Sequence, residues 1–242
     1  MSQRTLLGML TPSSNTILEP VCGAMLDGLP DVSVHFARFR VTEISLDAAA
    51  IDQFQYQPIL DAASLLADAR VNAICWNGTS GSWLGLEYDR ALCQSIFDAT
   101  GIEATSSVLA LKEIFRWTGV RRFGLISPYS GPVQSRIVET FRDEGFACVA
   151  ERHLDIRDNY AFSEVGEDKL IDMARQVARE RPDAITILCT NLKGARLAEA
   201  LETETGIPVY DATAAALWGA LRVAHVDPRT ITGWGRLFRE VP

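Results

Sequence analysis

Short apolar segments rich in β-branched residues alternate along the chain with longer segments of helical periodicity. Strands are predicted at residues 5–11, 32–38, 73–76, 103–105, 122–127, 147–153, 184–188 and 208–210. Amphipathic helices are predicted between them, including residues 58–69, 86–100, 132–144, 167–180 and 195–205. Alternation of strands and helices at this spacing predicts an α/β fold built on parallel sheets.

The two halves of the chain repeat one pattern. Residues 6–14 align without a gap with residues 122–130, residues 72–79 with 183–190, and residues 100–102 with 205–207. This repeat predicts two similar parallel-sheet lobes related by a pseudo-two-fold axis, with the active site in the cleft between their strand ends. We expect residues 1–112 and 215–242 to form the N-terminal lobe and residues 113–214 the C-terminal lobe.

Composition narrows the class of protein. The 242 residues are 48% hydrophobic and 22% charged, with a net charge of −8. An acidic chain of this kind is not expected to bind nucleic acid or an anionic membrane. We find no apolar run long enough to cross a bilayer and no signal segment at the N-terminus, so the sequence predicts a cytoplasmic protein.

Motifs for metals and common cofactors are absent from the sequence. The three histidines are isolated, and the five cysteines are scattered without a C-x-x-C pair. No phosphate-binding or dinucleotide-binding glycine motif occurs. The sequence therefore predicts no disulfide framework, no metal and no cofactor.

Polar loops follow four of the predicted strands, at residues 11–16, 77–82, 127–131 and 189–191. They are rich in hydroxyl, amide and glycine residues and poor in charge. Such loops offer backbone N–H groups and neutral donors to a carboxylate. The alternative is that their Ser, Thr and Asn side chains only cap helices.

Cys189 is the candidate reactive thiol. It ends a predicted strand and begins a Thr-Asn loop, where a helix N-terminus would lower a thiol pKa. The other cysteines, Cys22, Cys75, Cys93 and Cys148, lie in apolar or helical segments and are interpreted as small buried hydrophobic residues.

Several separate motifs resemble the aspartate/glutamate racemase superfamily, in the branch of arylmalonate decarboxylase and maleate cis-trans isomerase. These motifs are residues 11–16 (TPSSNT), 78–80 (GTS), 189–190 (CT) and 233–238 (GWGRLF). The resemblance covers essentially the whole chain. It implies a two-lobed, pseudo-symmetric fold and cofactor-free chemistry on a carbon next to a carboxylate.

The sequence departs from the family pattern at one position. Racemases and maleate isomerases of this superfamily carry one cysteine per half, and the resemblance places the second at Cys189 and the first at Gly78. A glycine there is similar to arylmalonate decarboxylase, whereas residues 11–15, Tyr129 and Asn159 are more similar to maleate isomerase. Cys75 lies three residues upstream and is not expected to replace the missing thiol.

The resulting hypothesis is a cofactor-independent enzyme that acts on a small carboxylate or dicarboxylate through an enediolate. It favours a decarboxylase with Cys189 as proton donor. Alternatives are a maleate isomerase or an amino-acid or hydantoin racemase using Cys189 as nucleophile or base, and a non-catalytic carboxylate-binding protein. The sequence leaves open whether the protein forms a homo-oligomer. The residues expected to contact the substrate are Ser14, Asn15, Gly78, Thr79, Ser80, Tyr129, Asn159, Thr190 and Asn191.

Gly78 also generates an expectation about stereochemistry. With Cys189 as the one acid, protonation takes place on one face of the enediolate. Gly78→Cys is then expected to place a thiol on the opposite face and create racemase activity. The alternative is that Gly78 is required for a positive φ or for a close backbone approach.

Overall fold

The computed structural model describes residues 4–242 and contains two four-stranded parallel sheets. The strands are β1 (Thr5–Pro12), β2 (Val32–Phe39), β3 (Ala73–Trp76), β4 (Ala104–Ser106), β5 (Arg122–Ser127), β6 (Ala147–His153), β7 (Ala184–Ile187) and β8 (Val209–Asp211). The first sheet has the order β2-β1-β3-β4 and the second the order β6-β5-β7-β8. The predicted fold class is confirmed, and each predicted strand end lies within one residue of the observed end. Residues 1–3 of the predicted N-terminal lobe lie outside the described residues.

Helices cover the two sheets. They are α1 (Leu18–Met25), α2 (Ala48–Asp52), α3 (Tyr56–Asp68), α4 (Gly81–Leu84), α5 (Leu86–Thr100), α6 (Ser107–Trp117), α7 (Gly131–Asp143), α8 (Glu167–Ala178), α9 (Ala198–Thr205), α10 (Ala212–Val223) and α11 (Arg236–Glu240). The five amphipathic segments form α3, α5, α7, α8 and, after a short 3-10 turn, α9. Within residues 4–242, every helix is too short or too polar to cross a membrane.

The strand register reproduces the sequence repeat. Leu7 of β1 pairs with Ala73 of β3, and in the second sheet Phe123 of β5 pairs with Ala184 of β7. These pairs occupy matching positions in the sequence alignment of the two halves. The repeat is therefore a repeat of structure, and position 78 in the first half corresponds to position 189 in the second.

Two helices each pack against the sheet of the other half of the chain. Helix α6 follows the first sheet, but its Phe115 packs against Phe123 and Tyr210 of the second sheet. Helix α10 follows the second sheet and packs against α6, β3 and β4. The predicted lobe boundaries fall inside these two helices, and the division of the chain into lobes stays a prediction.

Two carboxyl groups are fully buried beneath the polar loops. Asp211 caps α10 by accepting from the N–H groups of Thr213 and Ala214 at 2.8 and 3.2 Å. Asp89 on α5 accepts from the Ser106 hydroxyl at 2.5 Å. The second oxygen of each carboxyl has no hydrogen-bond partner. Burial therefore raises the pKa of both groups to about 7.

We predict that Asp89→Asn reduces the loss of unfolding free energy that accompanies a rise in pH from 5 to 8. Because the folded-state pKa of Asp89 lies above its unfolded value, its contribution is present at low pH and is lost as pH rises through 7. The asparagine does not ionise, so the variant is expected to retain on the order of 1–4 kcal/mol more of its unfolding free energy than wild type across this range. Urea unfolding at both pH values measures the difference. Asp61→Asn, at an exposed position on α3, is the control, and identical pH dependence in all three proteins would contradict the prediction.

Candidate active site

The loops after β1, β3 and β7 meet between the two sheets. Asn15 Nδ2 donates to Thr190 Oγ1 at 3.1 Å, and Thr190 Oγ1 donates to the backbone carbonyl of Asn77 at 2.8 Å. These hydrogen bonds link the two halves of the chain directly. The carboxyl ends of the parallel strands therefore face one shared space, as expected for ligand sites in open α/β sheets.

A small, partly enclosed cavity lies at this junction. Its volume is about 20 Å³, close to the space needed by one water molecule. A molecule larger than water fits only if part of the wall moves. Wider surface grooves, including one of about 560 Å³ beside Arg222 and Pro242, contain none of the predicted site residues. The cavity is lined by Pro12, Val41, Ile44, Phe54, Trp76, Gly78, Thr79, Ser80, Trp83, Tyr129, Asn159, Cys189 and Thr190.

Cys189 is the thiol in this wall. Its side chain is 3% exposed, and Sγ accepts from the Asn191 N–H at 3.4 Å. Burial raises the pKa of Cys189 to about 12, although the Asn191 N–H and the Tyr129 hydroxyl favour the thiolate. The expectation of a lowered thiol pKa is therefore wrong, because desolvation outweighs the local hydrogen bonds. The thiol is protonated at neutral pH.

Hydroxyl groups gather beside the thiol. Thr79 Oγ1 and the Tyr129 hydroxyl are 2.5 Å apart, and the Tyr129 hydroxyl also interacts with Cys189. Ser80 Oγ is buried in the wall without a hydrogen-bond partner. An unpaired buried hydroxyl is uncommon and is available to a ligand oxygen. These groups form a neutral hydrogen-bonding surface.

Three predicted contact residues lie outside the cavity wall. Ser14 Oγ donates to the Val41 carbonyl at 2.7 Å. The Asn15 side chain accepts from two N–H groups at the start of α1, and that of Asn191 joins Thr16 to Asn159. We assign these three side chains to the framework that holds the loops together. The other predicted residues, Gly78, Thr79, Ser80, Tyr129, Asn159, Cys189 and Thr190, line the cavity.

Apolar residues form the rest of the wall, and five of them lie outside the motifs that predict the site. Val41, Ile44 and Phe54 come from the segment after β2, while Trp76 and Trp83 flank the GTS motif. The lining contains no lysine, arginine, histidine or acidic residue. No group of three or more potential metal ligands occurs within residues 4–242. The sequence contains one sign of these apolar residues, since Trp76 and Trp83 lie directly on either side of the predicted loop at residues 77–82.

Cys75 does not join the site. It is fully buried on β3, and its thiol lies 3.7 Å from the Trp76 carbonyl rather than in the cavity wall. Burial raises its pKa well above the usual value. The interpretation of Cys75 as a buried hydrophobic residue is consistent with this position.

Comparison with known proteins places the chain in a family. The family model for arylmalonate decarboxylase matches residues 16–238. The chain is 28% identical to the arylmalonate decarboxylase of Bordetella bronchiseptica over 97% of this chain and 96% of that protein. It is also 28% identical to the maleate isomerase of Nocardia farcinica, over 97% and 95% of the two chains.

A solved structure of the Nocardia farcinica maleate cis-trans isomerase has the same fold. It is a cysteine-to-serine variant with a covalently bound succinylcysteine intermediate, and it matches with a TM-score of 0.88 at 25% identity, over 98% of this chain and 99% of that chain. A cysteine thus takes part in catalysis in this relative. The chain belongs to the arylmalonate decarboxylase and maleate isomerase family of the aspartate/glutamate racemase superfamily, whose members are cofactor-free decarboxylases and isomerases.

Proposed function

We propose that the protein decarboxylates a malonate-type diacid with an apolar substituent and that Cys189 protonates the product carbon. The observation that carries this proposal is a single protonated thiol in a cavity whose remaining wall combines four hydroxylic residues with six apolar ones. The decarboxylase of Bordetella bronchiseptica supports the same reaction class.

The hydroxylic side binds one carboxylate of the diacid. Ser80 Oγ donates to it, and the Thr79–Tyr129 pair supplies a further hydroxyl. As CO2 leaves, this carboxylate gains negative charge and becomes an enediolate. Donors fixed at such an oxyanion commonly contribute about 2.7–4 kcal/mol each to transition-state stabilisation.

The apolar side receives the carboxylate that leaves. Val41, Ile44 and Phe54 cannot solvate its charge, so loss of neutral CO2 is favoured there. The bond between this carboxylate and the central carbon breaks, and its electron pair passes into the enediolate. Cys189 then transfers its S–H proton to that carbon and becomes a thiolate, which solvent reprotonates.

Maleate isomerisation is the second candidate. The isomerase of Nocardia farcinica is equally similar in sequence, and its solved structure carries a succinyl group on a cysteine. Tyr129 and Asn159 also line the cavity here. That reaction needs a thiolate to attack the alkene, however, and the raised pKa of Cys189 disfavours the thiolate.

Product analysis tests the choice between the two reactions. With phenylmalonate, maleate and aspartate offered separately, NMR is expected to show phenylacetate and CO2 from phenylmalonate alone. Formation of fumarate from maleate without any decarboxylation would assign the isomerase reaction instead. Ligand-dependent rises in melting temperature without turnover of any diacid would assign a binding protein.

Cys189→Ala is expected to reduce turnover by about 10²- to 10⁴-fold, the range typical of a lost general acid. The fold should survive, because the change removes one small side chain at the cavity. Cys75→Ala is the matched control and is expected to lower stability by about 1 kcal/mol with little effect on turnover. Steady-state kinetics and thermal melting of both variants give the comparison. Equal losses of turnover would contradict the assignment of one catalytic thiol.

The pH dependence of kcat/KM separates the acid from the nucleophile. A thiol with a pKa of about 12 is fully protonated below pH 10, so proton donation predicts a flat profile between pH 8 and 10. A thiolate nucleophile with the same pKa predicts a tenfold rise per pH unit over that range. The range lies above the titration of Asp89 and Asp211. A slope of one would exclude the acid role.

A further inference from the structure

We propose that Trp76 confines the chemistry to the Cys189 side of the substrate, because its indole ring fills the space that a side chain at position 78 would need. The proposal rests on the proposed function and identifies the residue that leaves no room for an acid or base on the face opposite Cys189.

The geometry at Gly78 is the first observation. A Cβ atom built on Gly78 would lie 1.9 Å from Cζ2 and 2.2 Å from Cη2 of Trp76. Both distances are far below any van der Waals contact, so even an alanine would collide with the ring. Gly78 is not among the positive-φ residues of the described chain. Glycine is therefore required here by the close approach of the indole and not by the backbone conformation.

The indole has little freedom to move away. Trp76 is fully buried on β3, and its ring centroid lies 5.0 Å from that of Phe39. On another side its N–H favours the ionised form of the Asp89 carboxyl, although Nε1 makes no hydrogen bond of standard geometry. A rigid ring held in a packed interior cannot yield to a new side chain at small cost.

The internal repeat supplies an independent observation. In the second half of the chain, Ile187 occupies the position that matches Trp76, and Cys189 matches Gly78. The half with the thiol has isoleucine, a smaller residue than tryptophan, two positions before it. The half without the thiol has the largest side chain there. Both positions therefore differ between the two halves. A large ring at position 76 accompanies a glycine at position 78, and this combination leaves one face of the substrate without an acid or base.

This arrangement corrects the expectation for position 78. Gly78→Cys alone does not place a thiol opposite Cys189, because the new side chain meets the Trp76 ring. Trp76→Ile combined with Gly78→Cys copies the second half into the first and frees the space. In that double variant, the thiolate introduced at position 78 removes the α-hydrogen of the monocarboxylic product as a proton, leaving the electron pair in an enediolate. The Cys189 thiol returns a proton to the opposite face and becomes the thiolate.

Thermal melting tests the steric part without any assay of activity. Overpacking predicts that Gly78→Cys lowers the melting temperature by roughly 5 °C or more, or prevents folding. The double variant is expected to melt at least about 5 °C above the sum of the two single effects. Gly23→Cys is the control, because a Cβ there meets no atom within 4 Å, and its effect should add to that of Trp76→Ile. If the melting-temperature changes of Gly78→Cys and Trp76→Ile also added strictly in the double variant, the proposal would be overturned.

Exchange in D2O tests the catalytic part. With phenylacetate, or with a chiral α-methyl arylacetate, the Trp76→Ile, Gly78→Cys protein is expected to exchange the α-hydrogen and racemise the chiral acid. Wild type and Trp76→Ile are expected to do neither. Exchange by Gly78→Cys alone with an unchanged melting temperature would overturn the proposal, as would a double variant without exchange in an otherwise active enzyme. If wild type decarboxylates nothing but the melting temperatures are non-additive, the proposed function fails while the steric role of Trp76 stands.

Discussion

Burial of the Cys189 thiol between the two sheets is the constraint on which the chemistry of this site depends. The same enclosure keeps the thiol protonated, which favours the proposed role of Cys189 as proton donor over that of nucleophile. The site also holds no charged side chain in its wall. In the proposed reaction the substrate carboxylate is therefore bound by hydroxyl groups, whose hydrogen bonds gain strength from the low dielectric around them.

The fold maintains this enclosure by joining its two halves at several levels. Helices α6 and α10 each cover the sheet of the other half. At the site itself, Thr190 is bonded to both Asn15 and Asn77 across the junction. Because Cys189 and the hydroxyls of Thr79 and Ser80 belong to different halves, their relative positions depend on these links. The duplication thus supplies two similar loops, and the differences between them supply the chemistry.

Sequence patterns predicted the strands and the position of Cys189 because these depend on local periodicity and on the repeat. Helix α10 was not predicted, because ten of its twelve residues are buried and the sequence therefore shows no amphipathic pattern there. The raised pKa of Cys189 was not predicted, because the sequence does not reveal burial and because no helix begins directly after Cys189. The contact between Trp76 and Gly78 was also missed. The two residues are close in sequence, but the alternation of side chains between the two faces of a strand does not predict the orientation of an indole ring at the strand end.

In the proposed mechanism, one buried thiol delivers a proton to one face of an enediolate. Decarboxylation of a prochiral α-aryl-α-methylmalonate by the wild-type enzyme in D2O tests it most directly. Chiral chromatography and NMR of the product are expected to show a single enantiomer with one deuterium on the α-carbon. A racemic product formed by the enzyme at its full rate would contradict the account, because protonation would then not come from Cys189 alone.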